Sequence, residues 1–303
     1  MTAPSQDSLC FIEYPLPESL CYLNGIYGRV CDTQISVMDR GFIFGDGVYE
    51  VLPAYKSQVF CLEQHMARLD RSLKALRIAN PFSPTEWEAI ASRLIDDLAQ
   101  TTGAKNQLIY IQVTRGVAPR DHAMLPGLRP TVYVMASEMK LATAEQRAKG
   151  VACVTAEDFR WKKAQIKSTS LLGAVFSRQI SADVGALETV MFRDGLLSEA
   201  AASNVWVVKN GVVMGPPKDN LVLEGIRFGL IENICRDLGI AFELRPISRE
   251  EVLTADELLL SSATKEVLPI TELDKQPVGN GLPGPVYARL YAGYQTVKAK
   301  QCA

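Results

Sequence analysis

Leu62, Met66, Leu69, Leu73 and Leu76 recur at spacings of four and three residues, so all five share one stripe of a helix. Arg68 lies at the edge of that stripe and Arg71 on the opposite face, while His65 falls within it, a setting that suits a packed, hydrogen-bonded side chain rather than a catalyst. Upstream, Gly25-Ile26-Tyr27 and Val48-Tyr49-Glu50-Val51-Leu52 have the alternation and residue types of strands. A second helix is predicted over 85–99, with Ser83 or Thr85 near its start. Residues 107–114 read as a buried strand running into the turn-rich Arg115-Gly116-Val117-Ala118-Pro119, and 132–135 as a further strand.

Beyond position 138 the pattern changes. Residues 138–150 are polar and mobile-looking, and form the candidate linker between an N-terminal α/β domain (1–137) and a C-terminal domain (151–303). In the second, 188–192, 203–208 and 212–215 read as antiparallel strands, joined by turns at Arg193-Asp194-Gly195 and Lys209-Asn210-Gly211. Helices are predicted over 171–182, over 226–238 with Gly239 as its stop, and near 285–298. The fold class is therefore mixed α/β, in two domains, without internal repeats or low-complexity tracts.

Composition narrows the function classes. At 303 residues and 48% hydrophobic, the chain can bury a sizeable core. Its 32 basic and 34 acidic residues leave a formal charge of -2 with no long single-sign run, which argues against nucleic acid and anionic membrane as partners and for a small ligand. No apolar run approaches the roughly 20 residues of a membrane helix. The start, Met1-Thr2-Ala3-Pro4-Ser5-Gln6-Asp7, lacks the basic-then-apolar pattern of a signal peptide, so a cytoplasmic location is expected. Seven cysteines, at positions 10, 21, 31, 61, 153, 235 and 302, are odd in number and form no Cys-x-x-Cys pair; they read as reduced thiols rather than a disulfide framework or zinc site. With His65 and His122 the only histidines, a histidine-rich metal site is excluded.

The chemistry concentrates in a few segments. Ala164-Gln165-Ile166-Lys167-Ser168-Thr169-Ser170-Leu171-Leu172 sets one lysine between a short apolar strand and the start of an apolar helix. Glu199 follows the strand-like Gly195-Leu196-Leu197-Ser198 and precedes Ala200-Ala201-Ala202-Ser203. Gly225-Ile226-Arg227 opens a helix, whose free N–H groups and positive dipole end make an anion site. Ser261-Ser262-Ala263-Thr264, after the apolar Leu258-Leu259-Leu260, can add N–H and hydroxyl donors. Pro119-Arg120-Asp121-His122 sets a forked guanidinium near an imidazole, a pairing that suits a carboxylate. Taken singly these are weak signals, since a lone lysine or arginine is ordinarily a solvated surface charge.

Together, from about Tyr22 to Pro269, they resemble the fold-type IV, pyridoxal-phosphate-dependent aminotransferases, and most closely the D-amino-acid aminotransferases. Glu63-Gln64-His65-Met66-Ala67-Arg68 matches that family's glutamate, histidine and arginine spacing. The resemblance implies a two-domain fold with a larger C-terminal sheet or pseudo-barrel, and pyridoxal 5′-phosphate as cofactor. It implies that Lys167 forms the Schiff base and moves the proton between Cα and C4′, and that Glu199 pairs with the pyridine nitrogen. Arg68, Ile226, Arg227 and Ala263 would complete the cofactor site. Tyr49, Arg120 and His122 would hold the substrate carboxylate, with the Arg120/His122 loop reaching across the interface of a homodimer. The implied reaction moves an amino group from a D-amino acid, such as D-alanine or D-glutamate, to a 2-oxo acid; the D stereochemistry rests on the resemblance alone. Ala200, Ala201 and Ala202 depart from the family's glycine or serine, and Ala263 from a hydroxyl residue. Branched-chain L-aminotransferases, amine transaminases and aminodeoxychorismate lyases share Lys167 and Glu199 and are the alternatives, with a non-catalytic binding module behind them.

Overall fold

The computed structural model describes residues 14–302; the polar 1–7 stretch and Cys10 lie outside the described residues. β1 (Leu20–Leu23) and β2 (Ile26–Arg29) pair antiparallel around Asn24 and Gly25, both at positive φ. Gly25 is thus the turn of a hairpin rather than the start of a strand. There follow α1 (Arg40–Phe44), β3 (Gly47–Tyr55), β4 (Gln58–Val59), α2 (Leu62–Ala75), α3 (Pro84–Thr102), β5 (Asn106–Thr114) and β6 (Thr131–Glu138). The six strands form an antiparallel sheet in the order β2-β1-β6-β5-β3-β4. On it α2 lays Met66, Leu69 and Leu73, and α3 lays Trp87, Leu94 and Leu98, all buried. A capping box of Ser83 and Glu86 starts α3. Leu76 is buried one residue past the end of α2, so its stripe outlasts the helix that produces it.

The 138–150 segment corrects one expectation. It contains α4 (Ala144–Lys149), opened by a Thr143/Gln146 capping box, and Met139 before it is buried. Arg147 on α4 pairs with the buried Glu266 at 2.7 Å, which fastens a stretch that reads as mobile. Six residues are too few for apolar periodicity to register.

Beyond it come β7 (Val151–Glu157), α5 (Leu172–Asp183), β8 (Glu188–Arg193), β9 (Leu196–Ala200), β10 (Asn204–Lys209), β11 (Val212–Gly215), α6 (Ile226–Asp237), β12 (Phe242–Leu244), α7 (Arg249–Leu253), β13 (Glu257–Ser262), β14 (Glu266–Leu273), β15 (Gln276–Pro277) and α8 (Pro285–Gln301). Their sheet runs β12-β11-β10-β13-β14-β7-β8-β9, with β15 beside β14. Both predicted turns form, at Asp194-Gly195 and Asn210-Gly211 with positive φ at all four residues, and β10/β11 is the antiparallel hairpin predicted; the strand that returns beside β8 is β9, whereas β10 pairs with β11 and β13. β8 also runs parallel to β7, and β7 to β14. α6 and α8 cover this sheet around Trp206, Phe228, Leu290 and Tyr294, and Tyr55 and Phe60 from the end of β3 and the turn after β4 join the same apolar cluster. The two sheets are thereby locked side by side, and the candidate site lies along their seam. Among the described residues the six cysteines are free, and no helix is long and apolar enough to cross a membrane.

Candidate active site

The segment after β7 crosses to the first sheet and docks on the edge of β3. Tyr49 donates its backbone N–H to the Lys167 carbonyl (3.0 Å), Thr169 donates to the Gly47 carbonyl (2.9 Å), and Val48 and Ser168 form an antiparallel bridge. Gly45 accepts from the Thr169 and Ser170 hydroxyls at 2.9 and 3.0 Å. It has φ of 65°, and a Cβ there would meet Ser170 Oγ at 2.8 Å, so the docking requires glycine. Held on both sides in this way, Lys167 places its Nζ 4.1 Å from the centroid of the Tyr49 ring.

Glu199, near the end of β9, is 5% exposed. Its Oε1 accepts from Arg160 Nη1 at 2.6 Å, and its Oε2 from Asn204 Nδ2 and the Leu223 N–H, both at 3.2 Å. Burial pushes its pKa up to about 7 against the opposing pull of Arg160. Arg160 in turn rests on Asp158 through Nε and Nη2, each at 2.9 Å. Sequence reasoning missed Arg160 and Asp158; Asp158-Phe159-Arg160 follows a strand, but nothing in linear spacing ties it to a carboxylate 39 residues further on.

At the other end, Arg68 is buried and grips Glu50 with Nε (3.0 Å) and Nη2 (2.5 Å), while Nη1 donates to the Glu224 carbonyl (3.2 Å). Despite its burial, Glu50 is held far below the ordinary carboxylate range by Arg68 and His65. His65, fully buried, contacts Glu50 through Nδ1 at 3.0 Å, and burial pushes its pKa down to about 4. It is a packed, hydrogen-bonded histidine, as its place in the stripe implies. α6 begins at Ile226 after Gly225 with no side-chain cap, so its first N–H groups, on residues that line the cavity, are unclaimed by a capping side chain. The side chain of Arg227 turns inward to Tyr294 Oη (3.2 Å) and His65 Nε2 (3.5 Å), which leaves its backbone to serve an anion. Ala263 stands between Ser262 and Thr264 at the rim.

One cavity of about 1100 Å³ is lined by Tyr49, Arg68, Lys167, Glu199, Arg227 and Ala263, with Ile226 beside them. Arg120 and His122 are absent from that lining within a single chain. They lie on an exposed loop against Phe44, 5.4 and 5.1 Å from its ring centroid, and Arg40 Nη1 anchors the loop through the Asp121 carbonyl at 2.5 Å. Among the described residues no cluster of His, Cys, Asp and Glu could hold a metal ion.

Pyridoxal phosphate needs an amine for its aldehyde, an acid partner for its ring nitrogen and an anion cradle for its phosphate. Lys167, the buried Glu199, and Arg68 beside the uncapped start of α6 provide that set in one cavity, so the residues fit the group. The class of protein follows from fold and site together: residues 47–273 match the family model for class IV amino-transferases, and the chain belongs to that family of pyridoxal-phosphate enzymes. A D-alanine aminotransferase from Bacillus licheniformis is 36% identical over 272 residues, covering 90% of this chain and 94% of that one. A D-alanine aminotransferase from Staphylococcus epidermidis is 33% identical over 275 residues, with 90% and 96% covered. Among solved structures, a branched-chain aminotransferase from the thermophilic archaeon Thermoproteus uzoniensis superposes with a TM-score of 0.82 over 93% of this chain and 96% of that one. At 24% identity it shows the fold alone. A fold IV-transaminase from Curtobacterium pusillum gives 0.76 at 25% identity, over 92% and 93%.

Proposed function

We propose that this aminotransferase moves an amino group from a D-amino acid, with D-alanine the first candidate, to a 2-oxo acid. The observation that carries the reading is the single cavity holding Lys167, Glu199 and Arg68 in a chain 36% identical to a D-alanine aminotransferase over 90% of its length. Likeness to a branched-chain enzyme stands at 24% identity and concerns fold, which ranks that alternative below.

When bound, pyridoxal phosphate supplies an electron sink that makes the substrate Cα–H acidic. Lys167 is assigned as its covalent anchor, and once freed, Nζ serves as the general base that takes the Cα proton. Glu199 would pair with the pyridine nitrogen. Arg68 and the N–H groups of Ile226 and Arg227 would hold the phosphate, with the backbone at Ala263 beside them. Tyr49 is assigned to the substrate carboxylate.

Arg120 and His122 complete the carboxylate site from a second copy of the chain. A homodimer is supported by the apolar face beside the cavity, where Phe42, Phe159, Leu172, Val175 and Phe176 are each more than half exposed. Domain limits at 137 and 151 are part of the same proposal, the two sheets lying on either side of 138–150. The free cysteines accord with a reducing cytoplasm.

A panel of D- and L-amino acids with pyruvate and 2-oxoglutarate as acceptors tests the reading. D-alanine with 2-oxoglutarate should turn over well above any L-amino acid; faster turnover of L-leucine would overturn it in favour of the branched-chain enzymes.

A further inference from the structure

Arg160 has no role in the reading so far, yet it makes the shortest contact to Glu199, 2.6 Å from Nη1 to Oε1. Its Nε and Nη2 donate to Asp158, which is itself fixed: the Asp158 N–H donates to the Phe192 carbonyl at 2.6 Å, and Arg193 reaches both the Asp158 carboxylate (3.1 Å) and the Arg160 carbonyl (2.7 Å). Gly173, at the start of α5, leaves room for the stem; a Cβ there would lie 3.0 Å from Arg160 Cγ. The guanidinium is thus held between two carboxylates, those of Asp158 and Glu199. The charged groups around Glu199 are Arg160 and Asp158 from the segment after β7, with Arg193 of β8 behind them and Lys167 across the cavity. Two carboxylates and two guanidiniums balance in this cluster. Without Arg160 the buried Glu199 would keep only the neutral donors Asn204 and Leu223, and burial would favour its protonated form.

We propose that Arg160 is a positioning residue for Glu199, holding its carboxylate ionised so that the one proton shared with the pyridine nitrogen stays on the nitrogen. The inference rests on the assignment of Glu199 to that nitrogen. One proton and no other atom is at issue: with Arg160 present it sits on nitrogen opposite a carboxylate, and without Arg160 it moves to a Glu199 oxygen opposite a neutral ring. A side chain that merely braced the fold would leave the proton where it is.

The test is ¹⁵N NMR of holoenzyme loaded with ring-¹⁵N pyridoxal phosphate, in the wild type and in Arg160→Met, Arg160→Lys, Asp158→Asn and Glu199→Gln. The wild type should give a pyridinium shift. Arg160→Met should move the signal towards neutral pyridine, Arg160→Lys should retain most of the pyridinium character, and Asp158→Asn, which keeps Arg160 and removes a carboxylate that opposes ionisation of Glu199, should keep the pyridinium shift. Adding Arg160→Met to Glu199→Gln should change nothing further, because its target is gone. A wild-type shift in Arg160→Met, with Glu199→Gln clearly displaced, overturns the inference while the Glu199 assignment stands. An undisplaced signal in Glu199→Gln overturns that assignment instead. Should Arg160→Met fail to fold, Arg160→Gln takes its place, and a wild-type shift there counts against the inference.

Discussion

The backbone N–H of Tyr49 donates to the carbonyl of Lys167, and the Lys167 ammonium lies 4.1 Å from the centroid of the ring of the same tyrosine. Backbone and ring therefore act on the lysine, while the phenol oxygen remains for the substrate. Tyr49→Phe should keep cofactor attachment intact, seen as the cofactor mass fixed on Lys167 by borohydride, and raise KM for D-alanine about tenfold, the worth of one hydrogen bond to a charged group. Lys167→Ala should lose both the fixed mass and all transamination. Fixation elsewhere in the chain would move the anchor away from Lys167.

Arg68 is asked to do two things, hold phosphate and neutralise Glu50, so Arg68→Ala should separate from Glu199→Gln in kind. The first should weaken cofactor binding about ten- to a hundredfold. It should also destabilise the apoprotein by roughly 3–5 kcal/mol, because Glu50 stays buried without its main partner. Glu199→Gln should lower turnover far more than affinity. An unchanged cofactor Kd in Arg68→Ala removes it from the phosphate site.

His65 and Glu50 set an acid limit. His65 in the folded chain sits at about 4, below the ordinary 6.5, so the fold binds fewer protons there than the unfolded chain does. Its contribution is complete above pH 6.5 and is lost as pH falls towards 4, a span of about 3 kcal/mol. Glu50, depressed further, adds its own loss below the ordinary carboxylate value. Glu199 runs the other way: raised to about 7, it stabilises the fold at low pH and less as pH rises through 7. That slope cancels in the difference between wild-type apoprotein and His65→Gln, which should shrink as pH drops from 6.5 to 4 in urea titrations. A pH-independent difference would contradict the buried neutral histidine.

What could be read in the chain was local. Lys167 and Glu199 sit in short runs that carry the family resemblance, and helical spacing puts Arg68 at the edge of a stripe of five apolar residues, its role coming from the resemblance. The Asn-Gly and Asp-Gly turns disclose two hairpins for the same reason: two φ angles decide each. Illegible were the relations that the sheet creates. Arg160 meets Glu199 only because β7 and β8 pair in parallel and the hairpin after β8 returns beside the segment that follows β7. Glu50, seen as one strand residue among five, becomes the counter-ion of Arg68 only when β3 lies under α2. α4 was within reach through its Thr143-x-x-Gln146 box, a signal that periodicity over six residues cannot supply.

Arg120 and His122 lie outside their own chain's cavity lining, on a loop that Arg40 fastens through the Asp121 carbonyl. If a second copy receives them, a site is built from Lys167 of one chain and Arg120 of the other. Arg120→Ala should leave a yellow dimer and raise KM for D-alanine by one to two orders of magnitude, as expected for loss of a charged, forked contact to carboxylate. Adding His122→Ala should cost less than the sum of the single losses, since both groups act on one carboxylate. The decisive measurement mixes two crippled proteins. Unfolded and refolded together, Arg120→Ala and Lys167→Ala chains should form heterodimers with one intact site, restoring roughly a quarter of wild-type activity from partners that have little or none. No recovery, in a mixture shown by native mass spectrometry to contain heterodimer, would place Arg120 in the site of its own chain or in none.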